Sequence, residues 1–244
     1  MSSDPPRLRM FAGPNGSGKT TVKNGLQRQP QWFGIYINPD ELEKTIRETG
    51  ILPLDPFDLT TSTEEIRNFF ASFLLLQNHQ LHATAGGIEC RAGGIDFSGL
   101  EMNSYYASVL ADFLRRKALE SSKSFSFETV MSAPDKVDLL REAQTVGYRT
   151  YIYYIATEDP AINIQRVKNR VAEGGHDVPE EKIVLRYHRS LSLLREAIRY
   201  TYRAFFFDTS EEESWYFAEA TNGTSIELKS DEMPNWFQPI WDQF

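Results

Sequence analysis

The stretch FAGPNGSGKTT, residues 11–21, decides how the rest of the chain is read. Gly13, Gly18, Lys19 and Thr20 satisfy the spacing G-x-x-x-x-G-K-[ST]. Glycines let a backbone curl until successive N–H groups point inward and form an anion nest. A helix that follows offers its positive end to the same point. In that arrangement Lys19 reaches the β- and γ-phosphates of a nucleotide, and the Thr20 hydroxyl is the ligand for Mg2+. The expected nucleotide-binding loop is therefore Gly13, Pro14, Asn15, Gly16, Ser17, Gly18, Lys19, Thr20 and Thr21. The glycine spacing does not fit the dinucleotide pattern G-x-G-x-x-G. With no Asn-Lys-x-Asp segment, ATP is favoured over GTP, and with no Leu-Ser-Gly-Gly segment a transporter-type ATPase is disfavoured. FFFD at 205–208 comes near a strand ending in Asp-Glu, but Asp208 is followed by Thr-Ser. A small kinase fits better than a mechanical ATPase.

Working outward, apolar strand-like runs recur at 7–13, 34–38, 124–129, 150–157 and 203–210. Helical patterns lie between them at 18–28, 40–49, 134–146, 160–172 and 180–200. This alternation predicts an α/β fold, a mostly parallel sheet with helices on both faces. Residues 51–100 interrupt the rhythm as an insertion. A helix is expected from about Thr63, with Ser62 and Glu65 at capping-box spacing and Phe69, Phe70, Phe73 and Leu74 as its apolar face. AGGI then occurs twice, at 85–88 and 92–95, and predicts a β-hairpin around Gly93-Gly94. A helix over about 103–119 leads back to the main fold. Two strand runs around Asn222-Gly223 predict a C-terminal β-hairpin. The expected organisation is a single kinase domain over 1–244, with the insertion at about 51–100 and a lid region at about 166–189.

The formal charge of −8 disfavours nucleic acid as a partner. One cysteine, Cys90, excludes an internal disulfide framework and suits the cytoplasm. No apolar run approaches the ~20 residues that span a bilayer, and MSSDPPRLRM, residues 1–10, lacks the apolar centre of a secretory signal.

Ligands of an open parallel sheet bind beyond the carboxyl ends of its strands. That rule singles out Asn38 and Asp40 after the second strand, and Glu128 and Thr129 after the third. A kinase needs a carboxylate to take or orient the proton of the attacking hydroxyl. Asp40 suits that task, and it equally suits a helix N-terminus in NPDELEKTI. Glu128 ends an apolar strand, a costly place for a charge without a task. Arg166, Lys168, Arg170, Arg186 and Arg189 flank the Gly-hinged turn EGGHDVP, the pattern of a lid closing on ATP, with His176 in the turn.

At these residues the sequence resembles the zeta toxin family of P-loop kinases and their chromosomal zeta-like relatives. The matching stretches are FAGPNGSGKTT (11–21), YINPDEL (36–42), SFSFETVMS (124–132), GYRTYIYYIATEDPAINIQRVKNRVAEGGHDVPEEKIVLRYHRSL (147–191) and FFFDTS (205–210). The resemblance implies a nucleotide-kinase-like sheet of order 2-3-1-4-5. It implies transfer of the ATP γ-phosphate, with Mg2+, to a hydroxyl of a nucleotide sugar such as UDP-N-acetylglucosamine, and an antitoxin protein as partner. Carried over position by position, Lys19 and Thr20 hold ATP and Mg2+, Asp40 activates the sugar hydroxyl, and Glu128 and Thr129 bind the acceptor. Arg166 and Arg170 both resemble the first lid arginine. His176 or Arg186 stands in for the second. Two other classes compete: a nucleotide-dependent interaction module with little turnover, and a polynucleotide end kinase, which the acidic charge opposes.

Overall fold

The computed structural model describes residues 4–26, 30–91 and 93–244. In chain order the elements are β1 (Arg7–Ala12), α1 (Lys19–Leu26), β2 (Ile35–Ile37), α2 (Pro39–Thr49), β3 (Ile51–Pro53), α3 (Thr63–Ser72), α4 (Leu74–Asn78), β4 (Glu89–Arg91) and β5 (Gly94–Asp96). They continue with α5 (Ser104–Glu120), β6 (Phe125–Thr129), α6 (Asp135–Thr145), β7 (Arg149–Ala156), α7 (Pro160–Ala172), α8 (Glu180–Arg199), β8 (Arg203–Asp208), β9 (Trp215–Thr221), β10 (Ser225–Leu228) and α9 (Gln238–Trp241). The expected helix 18–28 begins as read, while its positions 27 and 28 lie outside the described residues, as do residues 1–3 and Ala92. The elements form two compact units, residues 1–33 with 126–244 and residues 34–125.

The first unit is built on strands in the order β10-β9-β8-β7-β1-β6. Strands β1, β7 and β8 run parallel, with Phe11 opposite Tyr153 and Tyr153 opposite Phe205. That is the expected order 3-1-4-5, extended at one edge by the predicted C-terminal hairpin, where β9 is antiparallel to both β8 and β10. Successive strand residues point to opposite faces. On one face the Phe11, Tyr153 and Phe205 rings stack at 4.7 and 5.0 Å, and Val22 of α1 packs in the same cluster with Phe33 and Phe207. On the other face Tyr154 pairs with Ser190 of α8 at 3.0 Å and its ring lies against Trp236. Both faces are covered, which is why the central strands read as continuous apolar runs.

The second unit carries its own three-stranded antiparallel sheet, β3-β5-β4. The β4–β5 hairpin is the one expected around Gly93-Gly94. Strand β3 adds to it through Ile51 opposite Asp96, a pairing the three-residue run did not announce. Helix α3 begins at the Ser62 cap, whose hydroxyl accepts from the Glu65 N–H. Phe70 packs against Phe97 and Tyr106 inside this unit. The expected apolar face is cut short. Phe73 takes an extended conformation between α3 and α4, and the turn puts Leu74 66% into solvent. Among the described residues no helix is long and apolar enough to cross a membrane.

Phe206 is fully buried, with its ring 4.8 Å from Phe237 and 6.4 Å from Phe217. Phe206→Ala is expected to cost about 3–5 kcal/mol, read by equilibrium urea unfolding. A loss under about 1 kcal/mol contradicts this account of the C-terminal packing.

Candidate functional site

The loop between β1 and α1 leaves the sheet at Gly13. The Gly13 N–H donates to the Thr129 carbonyl at 3.2 Å, and a Cβ at Gly13 would sit 1.9 Å from the Ile155 carbonyl oxygen. With φ at +147° as well, only glycine fits. Gly16, at φ +73°, lies against α7, where a Cβ would be 2.6 Å from the Asn163 carbonyl oxygen. The Ser17 hydroxyl is fully buried beside Gly13 and has no hydrogen-bond partner among the described residues.

Lys19 opens α1 and folds back over the loop, donating to the Gly13 and Pro14 carbonyls at 2.8 and 2.7 Å. Burial lowers its pKa to about 8, and the nearby Arg170 and Arg186 add to the fall, while Glu128 opposes it. Arg186 donates to the Asn15 side-chain oxygen at 3.3 Å, and burial lowers its pKa too. Arg170 donates to the His176 carbonyl at 2.6 Å, and the His176 side chain is exposed. Arg170 and Arg186 therefore gather near Lys19 at the phosphate end. Arg166 goes elsewhere. It donates to the Thr209 carbonyl at 2.6 Å and the Glu211 carbonyl at 3.3 Å, on the loop after β8. There it lines a cavity of about 600 Å³ with Gly18, Thr21, Val22, Phe207 and Thr209.

The Thr20 hydroxyl donates to Glu128 at 2.8 Å, and Lys23 lies 3.6 Å from the other oxygen of that carboxylate. A hydroxyl and a carboxylate side by side at the end of a phosphate loop are hard oxygen donors of the kind Mg2+ takes, so these residues fit the ion. Thr129 is occupied by the backbone: its carbonyl takes the Gly13 N–H and its hydroxyl accepts from the Met131 N–H at 3.0 Å. Asp208 is a brace, accepting from Ser210 N–H and Trp236 Nε1, both at 2.8 Å.

Asn38 and Asp40 belong to the second unit. Asn38 is the N-cap of α2, its side chain accepting from the Asp40 N–H at 2.9 Å. The capping role weighed for Asp40 therefore falls to its neighbour. Asp40 stands in the first turn with an exposed carboxylate that has no hydrogen-bond partner among the described residues.

Sequence reasoning missed Lys23, Thr209 and Asn163. Lys23 lies one helical turn after Lys19 and is buried, a position that marks a charge facing inward. The Thr209 hydroxyl donates to the Ser17 carbonyl at 2.9 Å, tying the β8 loop to the phosphate loop. Asn163 is a fully buried polar residue on the apolar stripe of α7, four positions before Val167. A polar residue on a buried stripe was the available signal.

The family model for Zeta toxin matches residues 101–220. That span holds Glu128, Arg166, Arg170 and Arg186 but not the phosphate loop, which stands on its own pattern and geometry. The AvrRxo1-ORF1:-ORF2 complex with ATP aligns at a TM-score of 0.53 and 14% identity, covering 93% of this chain and 61% of that one. The chain shares its fold with that complex's matched chain. The same complex with sulphate ions aligns at 0.53 and 15% identity, over 99% of this chain and 64% of that one. A chain of the PezAT chromosomal toxin-antitoxin system of Streptococcus pneumoniae aligns at 0.48 and 14% identity, over 88% and 72%. An uncharacterized protein of Haemophilus influenzae (strain ATCC 51907 / DSM 11121 / KW20 / Rd) is 29% identical over 70 residues, 29% of this chain and 50% of that protein. The chain thus spans about half of that relative and 61% of the first structural neighbour.

A lysine with its pKa at about 8 is about half neutral at pH 8, whereas an ordinary lysine near 10.4 is under about 1% neutral there. Acetylation of Lys19 by trace acetic anhydride, read by mass spectrometry, is expected to level off not far above pH 8, while that of surface lysines keeps rising to about pH 10.5. A Lys19 profile that rises together with the surface lysines contradicts the assigned environment.

Proposed function

We propose that the chain is an ATP- and Mg2+-dependent kinase that phosphorylates a hydroxyl of a small metabolite, with a nucleotide sugar, UDP-N-acetylglucosamine, as the first acceptor to test. The observation that carries this reading is the gathering of Lys19, Arg170 and Arg186 around a glycine loop whose exit residues are Thr20 and Glu128. Phosphoryl transfer needs little beyond positioning and charge stabilisation, and these residues supply both. Bound Mg2+ neutralises charge on the phosphates, and Thr20 with Glu128 would hold it. Lys19 exchanges its two loop carbonyls for phosphate oxygens. Arg186 leaves Asn15, and Arg170 leaves the His176 carbonyl, to meet the charge that develops on the transferred group. Arg166 and the loop after β8 enclose the base in the 600 Å³ cavity. Asp40 is the base that takes the acceptor's proton, and Glu128, Thr129 and Asn38 border the acceptor. We assign the activity to the cytosol, where ATP is abundant, and infer a protein antitoxin as partner, because the AvrRxo1 neighbour was solved as an ORF1:ORF2 complex.

Incubation with γ-labelled ATP and a panel of nucleotide sugars is expected to label one acceptor. Lys19→Ala should lower turnover by about 10²–10³-fold. Asp40→Asn should abolish transfer and leave ATP affinity unchanged. Unlabelled acceptors across a broad hydroxyl-bearing panel, or full turnover by Asp40→Asn, overturn the assignment.

A further inference from the structure

Two helices hold Asn15 of the phosphate loop. The Asn163 side-chain amide, on α7, donates to the Asn15 carbonyl at 2.6 Å. The guanidinium of Arg186, on α8, donates to the Asn15 side-chain oxygen at 3.3 Å. The Asn163 amide has only one productive orientation, because the Thr157 hydroxyl donates to its oxygen and so turns the nitrogen toward the loop. Thr157 is itself fixed from α8. The Tyr187 hydroxyl donates to the Thr157 carbonyl at 2.6 Å. Asn163, Thr157 and Tyr187 are all buried, so no bond in this relay is readily replaced by one to bulk water. A second contact supports the same junction: the Asn163 carbonyl occupies the space a Cβ on Gly16 would need.

We propose that Asn163 is a positioning residue for the phosphate cradle. It fixes the turn of the loop at Asn15 and Gly16, and with it the direction of the loop's N–H groups. Through Thr157 and Tyr187 it sets that turn in register with α8, the helix that carries Arg186. It touches no substrate and acts through Asn15. A buried asparagine inside a helix is unfavourable by propensity and by burial, and the bond to Asn15 accounts for its presence. The inference rests on the nucleotide site proposed above.

The test compares Asn163→Ala and Thr157→Val with the wild-type chain. Affinities for Mg-ATP and for adenosine are measured by calorimetry and ligand-observed NMR, alongside thermal melts. A cradle role weakens Mg-ATP binding by about tenfold in Asn163→Ala, the size expected when a buried carbonyl loses its donor. Thr157→Val, which frees the amide to flip, gives a smaller loss in the same direction. Adenosine, which lacks phosphates, keeps its affinity within about twofold, so the ratio of the two affinities moves only if the cradle moves. A parallel loss of ATP and adenosine, or unchanged ATP affinity in a folded variant, overturns the inference and leaves the nucleotide site standing. Absence of Mg-ATP binding by the wild-type chain overturns the nucleotide site and this inference with it. If Asn163→Ala does not melt cooperatively, Thr157→Val decides.

Discussion

The site depends on the close backbone approach at Gly13. The end of β1 is held between two neighbours, with its N–H bonded to the Thr129 carbonyl of β6 and its α-carbon against the Ile155 carbonyl of β7. Any side chain there has to force β1 and β7 apart. Those strands cannot yield, because the Phe11, Tyr153 and Phe205 rings stack across β1, β7 and β8, and dense packing transmits such a shift instead of absorbing it. Sheet packing therefore aims the phosphate loop. The Thr209 hydroxyl on the Ser17 carbonyl adds a third anchor from the end of β8.

On that fixed frame the chain concentrates positive charge, although its formal net charge is −8. Burial lowers the pKa of Lys19, with Arg170 and Arg186 adding to the fall, and burial lowers that of Arg186 as well. Each of the three cations has a partner close by. Lys19 takes two carbonyls, Arg186 takes Asn15 and Arg170 takes the His176 carbonyl. Each of these partners is neutral, so an anion competes with them on favourable terms. Glu128 is the counterweight on this side, and its closeness to Thr20 and Lys23 keeps a carboxylate at the mouth of the loop.

Much of the first unit was legible because two periodicities and one motif agree there. Apolar runs at 150–157 and 203–210 mark strands covered on both faces, and GxxxxGKT marks the loop between β1 and α1. The second unit was harder to read. Strand β3 is three residues long, too short to carry alternation. The extended turn at Phe73 broke a helical pattern that looked continuous through Leu74. Among the candidate site residues, Lys19, Thr20 and Glu128 carry local signatures in the sequence. Asn163 and Thr209 do not, because each acts by a hydrogen bond to a loop well over a hundred positions away. A polar side chain's long-range partner leaves no trace in the spacing of its neighbours.

The arginine pattern shows the same limit and what three dimensions add. Arg166 and Arg170 are one helical turn apart on α7, so sequence alone treats them alike. Their partners separate them. Arg166 is bound to two carbonyls of the loop after β8, which makes it a wall of the cavity beside α1. Arg170 reaches across the turn that begins at Gly174, toward the Lys19 end. One helix thus presents a cation at each end of the space a nucleotide would fill. The wall carbonyls hold Arg166 with two bonds, whereas Arg170 has a single exposed carbonyl partner to give up. The helix is therefore anchored at the cavity wall and free to respond at the phosphate side. In the proposed kinase reaction, such a division would let binding be firm while the charged end reorganises around the group being transferred.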